Sequence, residues 1–269
     1  MPPRIVHLVR HAQGHHNINW QHYIRDPTLT ETGHSQCRLL ASTFPHHDTI
    51  THVICSPLKR TIQTTLESFH PTIARLSKSN PEFKIPTDPY FQETGEWECD
   101  IGSSVPELQK FVENFEESED SKSSTAKIQG YEYHTHLDFS PVSKSAPDWP
   151  QKNGIFAAKN VETRGSYARE YLYNNFGNED EVLIVSHGGY LHVLTEDWDS
   201  YDEMKGTAWE NTERRSFVVK KNGEGKVVLE ETEESVRSRG GHGVRETDGG
   251  AERMEVEAGG HHHSEVLKN

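Results

Sequence analysis

Three short apolar runs, each followed by polar or glycine residues and then by a helical pattern, constrain this chain more than any other feature. The runs lie at Arg4–Val9, His52–Cys55 and Glu181–Val185. A strand that leads into a helix three times over is typical of an α/β domain, because each helix returns the chain so that the next strand lies parallel to the last. We therefore expect a three-layer α/β/α sandwich with a mainly parallel central sheet.

The residues that flank these runs predict where helices begin and end. Thr30 is a predicted N-cap of a helix through about Ala41, because a threonine hydroxyl can accept from a backbone N–H of the first turn. Ser56-Pro57 predicts a second helix that passes Thr61 and ends near Phe69. Further helices are expected at Pro106–Phe115 and Val161–Phe176, and a β-hairpin at Ser216–Lys220 and Lys226–Glu230.

The chain has 269 residues, which is long enough for one large α/β domain or two small ones. We favour a single catalytic domain over residues 1–232, with an insert at about 94–150 that is poor in regular periodicity. Residues 233–269 are charged and rich in glycine, so they are predicted to be a disordered tail.

Composition limits the partners and the compartment. The 28 lysines and arginines against 42 acidic residues give a formal charge of -14, which argues against nucleic acid or an anionic membrane as the main partner. The three cysteines lack the short paired spacings of zinc or disulfide frameworks, and no apolar stretch approaches the roughly 20 residues of a membrane span. We expect a cytoplasmic protein, and the sequence predicts no oligomeric state.

Cationic and nucleophilic side chains follow the predicted strands. Arg10 and His11 come directly after the first strand, Arg60 lies one helical turn after the second, and His187 and Gly188 follow the third. Open α/β sheets place their sites at the carboxyl ends of the strands, where helix N-termini add backbone N–H donors. Such a site suits a dianionic phosphate group.

Four ordered motifs then resemble those of the histidine phosphatase superfamily, also called phosphoglycerate mutase-like. They are RHA at 10–12 with Asn17 six residues past His11, LTETG at 29–33, SPLKRTIQT at 56–64 and SHGG at 186–189. Ala12 departs from the glycine that is usual in the family. The segment CDIGS at 99–103 makes a phosphatase-type branch of fungal proteins look closest.

The resemblance implies a role for each residue. His11 would be the nucleophile that becomes phosphorylated, and Arg10, Arg60 and His187, with Gly188, would hold the phosphoryl oxygens. Asn17 would contact phosphate or orient His11, although an asparagine here could also cap a helix. This arrangement requires no metal and no cofactor.

A carboxyl group should protonate the leaving oxygen and later activate water. Glu93 matches the family's position for this acid, while Glu96 and Asp100 remain rivals. Metal clusters at His15, His16 and His22 or at His46 and His47 are not predicted, because no carboxylate or cysteine stands at ligand spacing in the sequence.

The function that the resemblance implies is phosphomonoester hydrolysis of a small phosphorylated metabolite through a phosphohistidine. Two alternatives stay open. A mutase of the phosphoglycerate type would return the phosphoryl group to a bound sugar acid instead of to water. A non-catalytic protein that binds phosphorylated ligands would keep the fold alone.

Overall fold

A computed structural model describes residues 2–19, 21–114, 129–198 and 209–239. The chain contains a five-stranded sheet and a separate two-stranded pair. The strands are β1 (Ile5–Arg10), β2 (His52–Cys55), β3 (Ile85–Pro86), β4 (Leu137–Asp138), β5 (Glu181–Ser186), β6 (Arg214–Lys221) and β7 (Val227–Glu231). The helices are α1 (Glu31–Thr43), α2 (Lys59–Ser79), α3 (Val105–Asn114), α4 (Ser140–Ser145), α5 (Val161–Asn175), α6 (Gly188–Thr195) and α7 (Glu233–Ser238).

The central sheet has the strand order β2-β5-β1-β6-β7. The strands β2, β5 and β1 are parallel, whereas β6 and β7 form an antiparallel hairpin that continues the sheet beside β1. Parallel strands end at the same edge, so the polar residues after β1, β2 and β5 are brought together. The predicted strands and the hairpin are therefore confirmed.

Side chains of the central strands alternate between two cores. In β1, Val9 packs with α1, α2 and α3 on one face, while Leu8 packs with α5 and α6 on the other. The same alternation holds in β5, where Leu183 and Ile184 face opposite sides. Successive strand residues point to opposite faces of a sheet, so this pattern produces the three layers and confirms the predicted fold class.

Helix α2 is longer than the sequence predicted. It continues from the expected end near Phe69 to Ser79, and Phe69 itself has a non-helical backbone (φ -116°, ψ 16°). The kink precedes Pro71, which lacks an N–H and whose ring crowds the carbonyl four residues earlier. Burial of Ile73 and Leu76 in the core beyond the kink stabilises the second half of the helix.

The beginning of the predicted tail is ordered. Residues 233–238 form α7, where the Thr232 hydroxyl accepts a hydrogen bond from Ser235 N, and Arg239 forms an ion pair with Glu231. The described structure therefore extends to Arg239, and the rest of the predicted tail, from 240 on, lies outside the described residues. The charged and serine-rich stretch at 116–127 also lies outside them. Among the described helices, none is both long and apolar enough to cross a bilayer.

Candidate active site

His11, Arg60 and His187 converge at the carboxyl edge of the parallel strands. The ring centroids of His11 and His187 are 5.2 Å apart, and Arg60 Nε lies 3.3 Å from His11 Nε2. All three side chains are buried. The strand register explains the convergence, because Arg10 is paired with Ser186 and Cys55 with Val185.

The ring of His11 has a defined proton position. Its Nδ1 lies 2.7 Å from the carbonyl oxygen of Ala12, which can only accept, so Nδ1 carries the proton and Nε2 keeps its lone pair. Burial, followed by the charges of Arg60 and Arg10, lowers the pKa of His11 well below its usual value. The imidazole is therefore neutral at pH 7, which is the form that a nucleophile needs.

Backbone contacts from distant segments hold the loop that carries His11. The Asn211 side chain donates to the His11 carbonyl (3.0 Å), and Thr212 N donates to the Arg10 carbonyl (3.1 Å). The Thr64 hydroxyl accepts from Ala12 N (3.0 Å), so Ala12 is accommodated in the loop. The loop is thus fixed before any ligand binds.

Arg60 and Arg10 are both anchored by the protein. Arg60 donates from Nη1 to the Cys99 carbonyl (2.6 Å) and from Nη2 to Asp100 Oδ1 (3.1 Å), and Arg10 donates from Nη1 to the Trp209 carbonyl (2.5 Å). These bonds fix two guanidinium groups close to His11. Asp100, a rival for the acid in the sequence, is thereby engaged as the ion-pair partner of Arg60.

His187 presents the opposite ring nitrogen from His11. Its Nε2 lies 2.8 Å from the Ser56 hydroxyl, while its Nδ1 is buried and has no hydrogen-bond partner in the part of the chain that the structure describes. Burial, and then the charge of Arg60, lowers the pKa of His187 well below its usual value. A buried polar atom without a partner is uncommon in native proteins, so Nδ1 is a candidate contact for a bound anion.

Comparison with known sequences agrees with this geometry. Residues 6–134 match the sequence profile of the histidine phosphatase superfamily (branch 1). Over this range, slightly less than half of the chain, the protein is similar to that superfamily. The matched range ends before the SHGG motif at 186–189, which the structure nevertheless brings to the same edge as His11. The predicted resemblance to this superfamily is confirmed, and so is the predicted class of enzyme, a phosphatase.

Several relatives of this superfamily are similar to the chain. A probable phosphatase of Schizosaccharomyces pombe is 26% identical over 197 residues, which cover 69% of this chain and 74% of that protein. The phosphoglycerate mutase of Bacillus anthracis is 17% identical, with a TM-score of 0.47 over 85% of this chain and 92% of the mutase. A phosphoserine phosphatase mutant of Entamoeba histolytica, solved with phosphoserine, is 15% identical, with a TM-score of 0.44 over 85% and 96% of the two chains.

The side chain of Glu93 lies at the N-terminus of α6, the helix that begins directly after His187. Its Oε1 accepts from Thr94 N (2.8 Å) and Tyr190 N (3.0 Å), and its Oε2 accepts from Gly189 N at 3.4 Å. The side chain is buried, unlike that of the rival Glu96, which is exposed. The structure therefore sets Glu93 beside a motif of the site and leaves Glu96 at the surface.

Asn17 and Gly188 belong to the framework of the site in this structure. Asn17 ends a short 3₁₀ turn, where its Oδ1 accepts from Gly14 N (2.8 Å) and its Nδ2 lies 3.1 Å from His16 Nε2. Gly188 begins α6. Asn17 therefore orients the buried His16, whose ring centroid is 5.5 Å from that of His11. The contacts of Asn17 and Gly188 with phosphate stay predictions.

Two residues of the site were missed in the sequence. Lys152, just after the insert, is buried and donates from Nζ to the carbonyls of Glu93 (2.9 Å) and Gly95, and burial lowers its pKa to about 8. Ser56, which the sequence linked only to the start of a helix and of a motif, forms a hydrogen bond with His187. No motif marks Lys152, because its segment lacks periodicity. The Ser56 contact joins residues 131 positions apart.

Proposed function

We propose that the protein hydrolyses phosphomonoesters of small metabolites through a phosphohistidine at His11. The observation that carries the proposal is the pairing of two neutral, buried imidazoles that offer opposite ring nitrogens. His11 has a lone pair at Nε2, which in this structure accepts from Arg60 Nε (3.3 Å), and His187 Nδ1 has no partner among the described residues. One can attack phosphorus while the other donates to a phosphoryl oxygen.

The first step transfers the phosphoryl group to His11. Its Nε2 attacks phosphorus, a bond between nitrogen and phosphorus forms, and the bond between phosphorus and the ester oxygen breaks. Arg10, Arg60 and His187 oppose the negative charge of the three equatorial oxygens, where fixed donors stabilise the transition state most. Glu93 supplies the proton that the leaving alkoxide requires.

The second step releases phosphate. Glu93, now a carboxylate, takes a proton from water as the water oxygen attacks phosphorus and the bond to His11 Nε2 breaks. The same group thus serves as acid and then as base. The substrate that we propose is a small phosphorylated molecule in the cytoplasm and not a nucleic acid, because the cationic groups of this site are buried within a chain of charge -14.

The test uses p-nitrophenyl phosphate and, separately, 3-phosphoglycerate with its bisphosphate primer, both in the presence of EDTA. We expect phosphate release from p-nitrophenyl phosphate that survives chelation and is abolished in His11→Ala, together with an acid-labile covalent phosphate on the unaltered protein. The exposed neighbour His15 provides the matched control, since His15→Ala should keep the activity.

Three outcomes would count against the proposal. Phosphate release that persists in His11→Ala would remove His11 as the nucleophile. Isomerised product from 3-phosphoglycerate with its bisphosphate primer would establish a mutase. Inactivity toward a panel of sugar phosphates, nucleotides and phosphoamino acids would favour the non-catalytic alternative.

A further inference from the structure

A second group of polar side chains lies at the opposite edge of the central sheet. His7 comes from β1, Glu181 begins β5, and His46 lies in the turn that follows α1. Each offers one possible metal-ligand atom, and these atoms all lie within 4.8 Å of one another. The three residues are far apart in sequence, which is why His46 had no carboxylate partner at ligand spacing.

His7 has the features of a metal ligand that is already oriented. Its Nδ1 lies 2.9 Å from the Ser216 hydroxyl, while its buried Nε2 has no hydrogen-bond partner within the described ranges. The nearest carboxylate atom, Glu181 Oε2, is 3.6 Å away, which is too far for a hydrogen bond. Histidines that bind metals commonly have their second ring nitrogen held in this way.

His46 covers the same position from the solvent side. Its ring centroid is 4.4 Å from that of His7, with 31° between the ring planes. Phe44 packs edge-on against both rings, at 5.9 Å from His7 and 5.6 Å from His46. His46 is only partly buried and lies in a turn, so its ring can move the short distance that coordination requires.

We propose that His7 Nε2, a ring nitrogen of His46 and the Glu181 carboxylate bind one zinc ion, with water as the fourth ligand. Two imidazoles and a carboxylate are a donor set that zinc takes at about 2.0–2.2 Å in tetrahedral geometry. The ion would tie the beginnings of β1 and β5 to the turn after α1. It would give His7 Nε2 the partner that this atom lacks among the described residues.

Two neighbours of Glu181 determine how tightly the ion binds. Arg4 donates to Oε1, and the Thr49 hydroxyl donates to Oε2. Arg4 competes with a cation for the carboxylate, but more than half of its side chain is exposed, so it can turn into solvent when zinc binds. Thr49 can remain as a donor that orients the carboxylate.

The proposed zinc site is separate from the phosphate chemistry. Glu181 and Ser186 are the first and last residues of β5, and five steps along a strand span roughly 17 Å. Loss of zinc should therefore leave the hydrolysis of p-nitrophenyl phosphate unchanged. The zinc proposal and the proposed function can thus fail independently.

The experiment measures zinc binding to the full chain by competition with a chromogenic chelator. All proteins carry His261→Ala, His262→Ala and His263→Ala, because this run of histidines could bind zinc by itself. We expect one equivalent of zinc per chain, an affinity at least tenfold lower in His46→Gln, and a higher affinity in Arg4→Gln, where the competing cation is gone.

His52 provides the matched control. It lies at the same edge of the sheet and its Nδ1 is 3.6 Å from Asp180 Oδ1, but the pair is more exposed and has no third ligand among the described residues. His52→Gln should bind zinc like its parent. Cobalt substitution gives a second readout, since a tetrahedral site with nitrogen and oxygen ligands produces strong visible absorption that His46→Gln should lose.

Three results would overturn the inference. The first is the absence of stoichiometric binding at micromolar zinc. The second is a zinc affinity of His46→Gln equal to that of the parent. The third is a loss of zinc binding in His52→Gln instead of in His46→Gln. Far-ultraviolet circular dichroism of His46→Gln, whose substituted side chain is partly exposed, separates loss of binding from loss of fold.

Discussion

The two central histidines differ in the ring nitrogen that the protein already binds. The Ala12 carbonyl can only accept, so it fixes the proton of His11 on Nδ1. The Ser56 hydroxyl can donate to His187 Nε2, and the proton of that ring then lies on Nδ1, the atom without a partner among the described residues. In the proposed reaction one residue type thereby supplies both an attacking lone pair and a hydrogen-bond donor, because the local partners differ.

Ser56→Ala tests this division of roles. Without the hydroxyl, His187 Nε2 loses its partner and the ring loses its fixed tautomer. Leaving such a buried group unsatisfied costs about 1–3 kcal/mol, so kcat/KM should fall roughly 5- to 150-fold. Steady-state kinetics on p-nitrophenyl phosphate measure the change.

The control for this prediction is Ser68→Ala. Ser68 is also a buried serine, and it lies on α2. It should leave kcat/KM close to that of the unaltered protein. Ser56→Ala with unaltered kinetics would show that Ser56 does not set the tautomer of His187.

Sequence reasoning predicted the cationic and imidazole side chains of this candidate site, which all stand in motifs. Arg10, His11, Arg60 and His187 each follow a strand directly or within one helical turn, so topology alone brings them together. Ser56 could not be assigned to His187 because a hydrogen bond between side chains that follow two separate strands leaves no periodic signal. The proton positions of the two rings depend on such partners and were equally hidden.

At the scale of elements, the start of α1 packs unusually close to the loop after β1. The Thr30 hydroxyl accepts from Gly33 N, and Thr30 N donates to the Gln13 carbonyl. A Cβ added at Gly33 would lie 2.2 Å from the Gln13 oxygen. The glycine of the LTETG motif is therefore required for contact between a helix and the loop that carries His11.

Gly33→Ala should separate these two elements. A backbone oxygen at 2.2 Å cannot be accommodated by a side-chain rotation, so the helix or the loop must shift. Overpacking of this kind costs typically about 1–3 kcal/mol. We expect the free energy of unfolding in urea to fall by that amount and kcat/KM to fall with it.

Gly223→Ala is the matched substitution, since no atom of the described residues lies within 4 Å of a Cβ there. It should change the free energy of unfolding by less than about 0.5 kcal/mol. Equal stability of both variants would mean that α1 tolerates displacement from the loop.

The elements themselves could be predicted to different degrees. Strand β2 begins and ends where its apolar run does, and Thr30 caps α1 as its position indicated. The second half of α2 was missed because tertiary burial outweighs the effect of Pro71. The insert has little periodicity, and contacts such as that of Trp149 Nε1 with the Ser103 carbonyl (2.7 Å) determine its path.

At the scale of the whole molecule, an acidic chain concentrates buried cations around one site. Arg10, Arg60 and Lys152 are all buried, although the chain carries a formal charge of -14. Lys152 lies just after the insert and donates to carbonyls on either side of Thr94. The segment after the insert is thus joined to the segment that carries Glu93 by means of a charge.

The charge of Lys152 makes this connection sensitive to pH. Burial lowers the pKa of Lys152 from the usual 10.5 to about 8, so the folded protein holds an ammonium group below that pH and a neutral amine above it. The amine binds the two carbonyls less strongly. We expect kcat/KM to fall as the pH rises through about 8, whereas Lys152→Met should have a lower kcat/KM at pH 7 and no such fall. The exposed Lys144 of the insert provides the control, because Lys144→Met should keep the alkaline fall in kcat/KM. If this fall persists in Lys152→Met, a group other than Lys152 causes it.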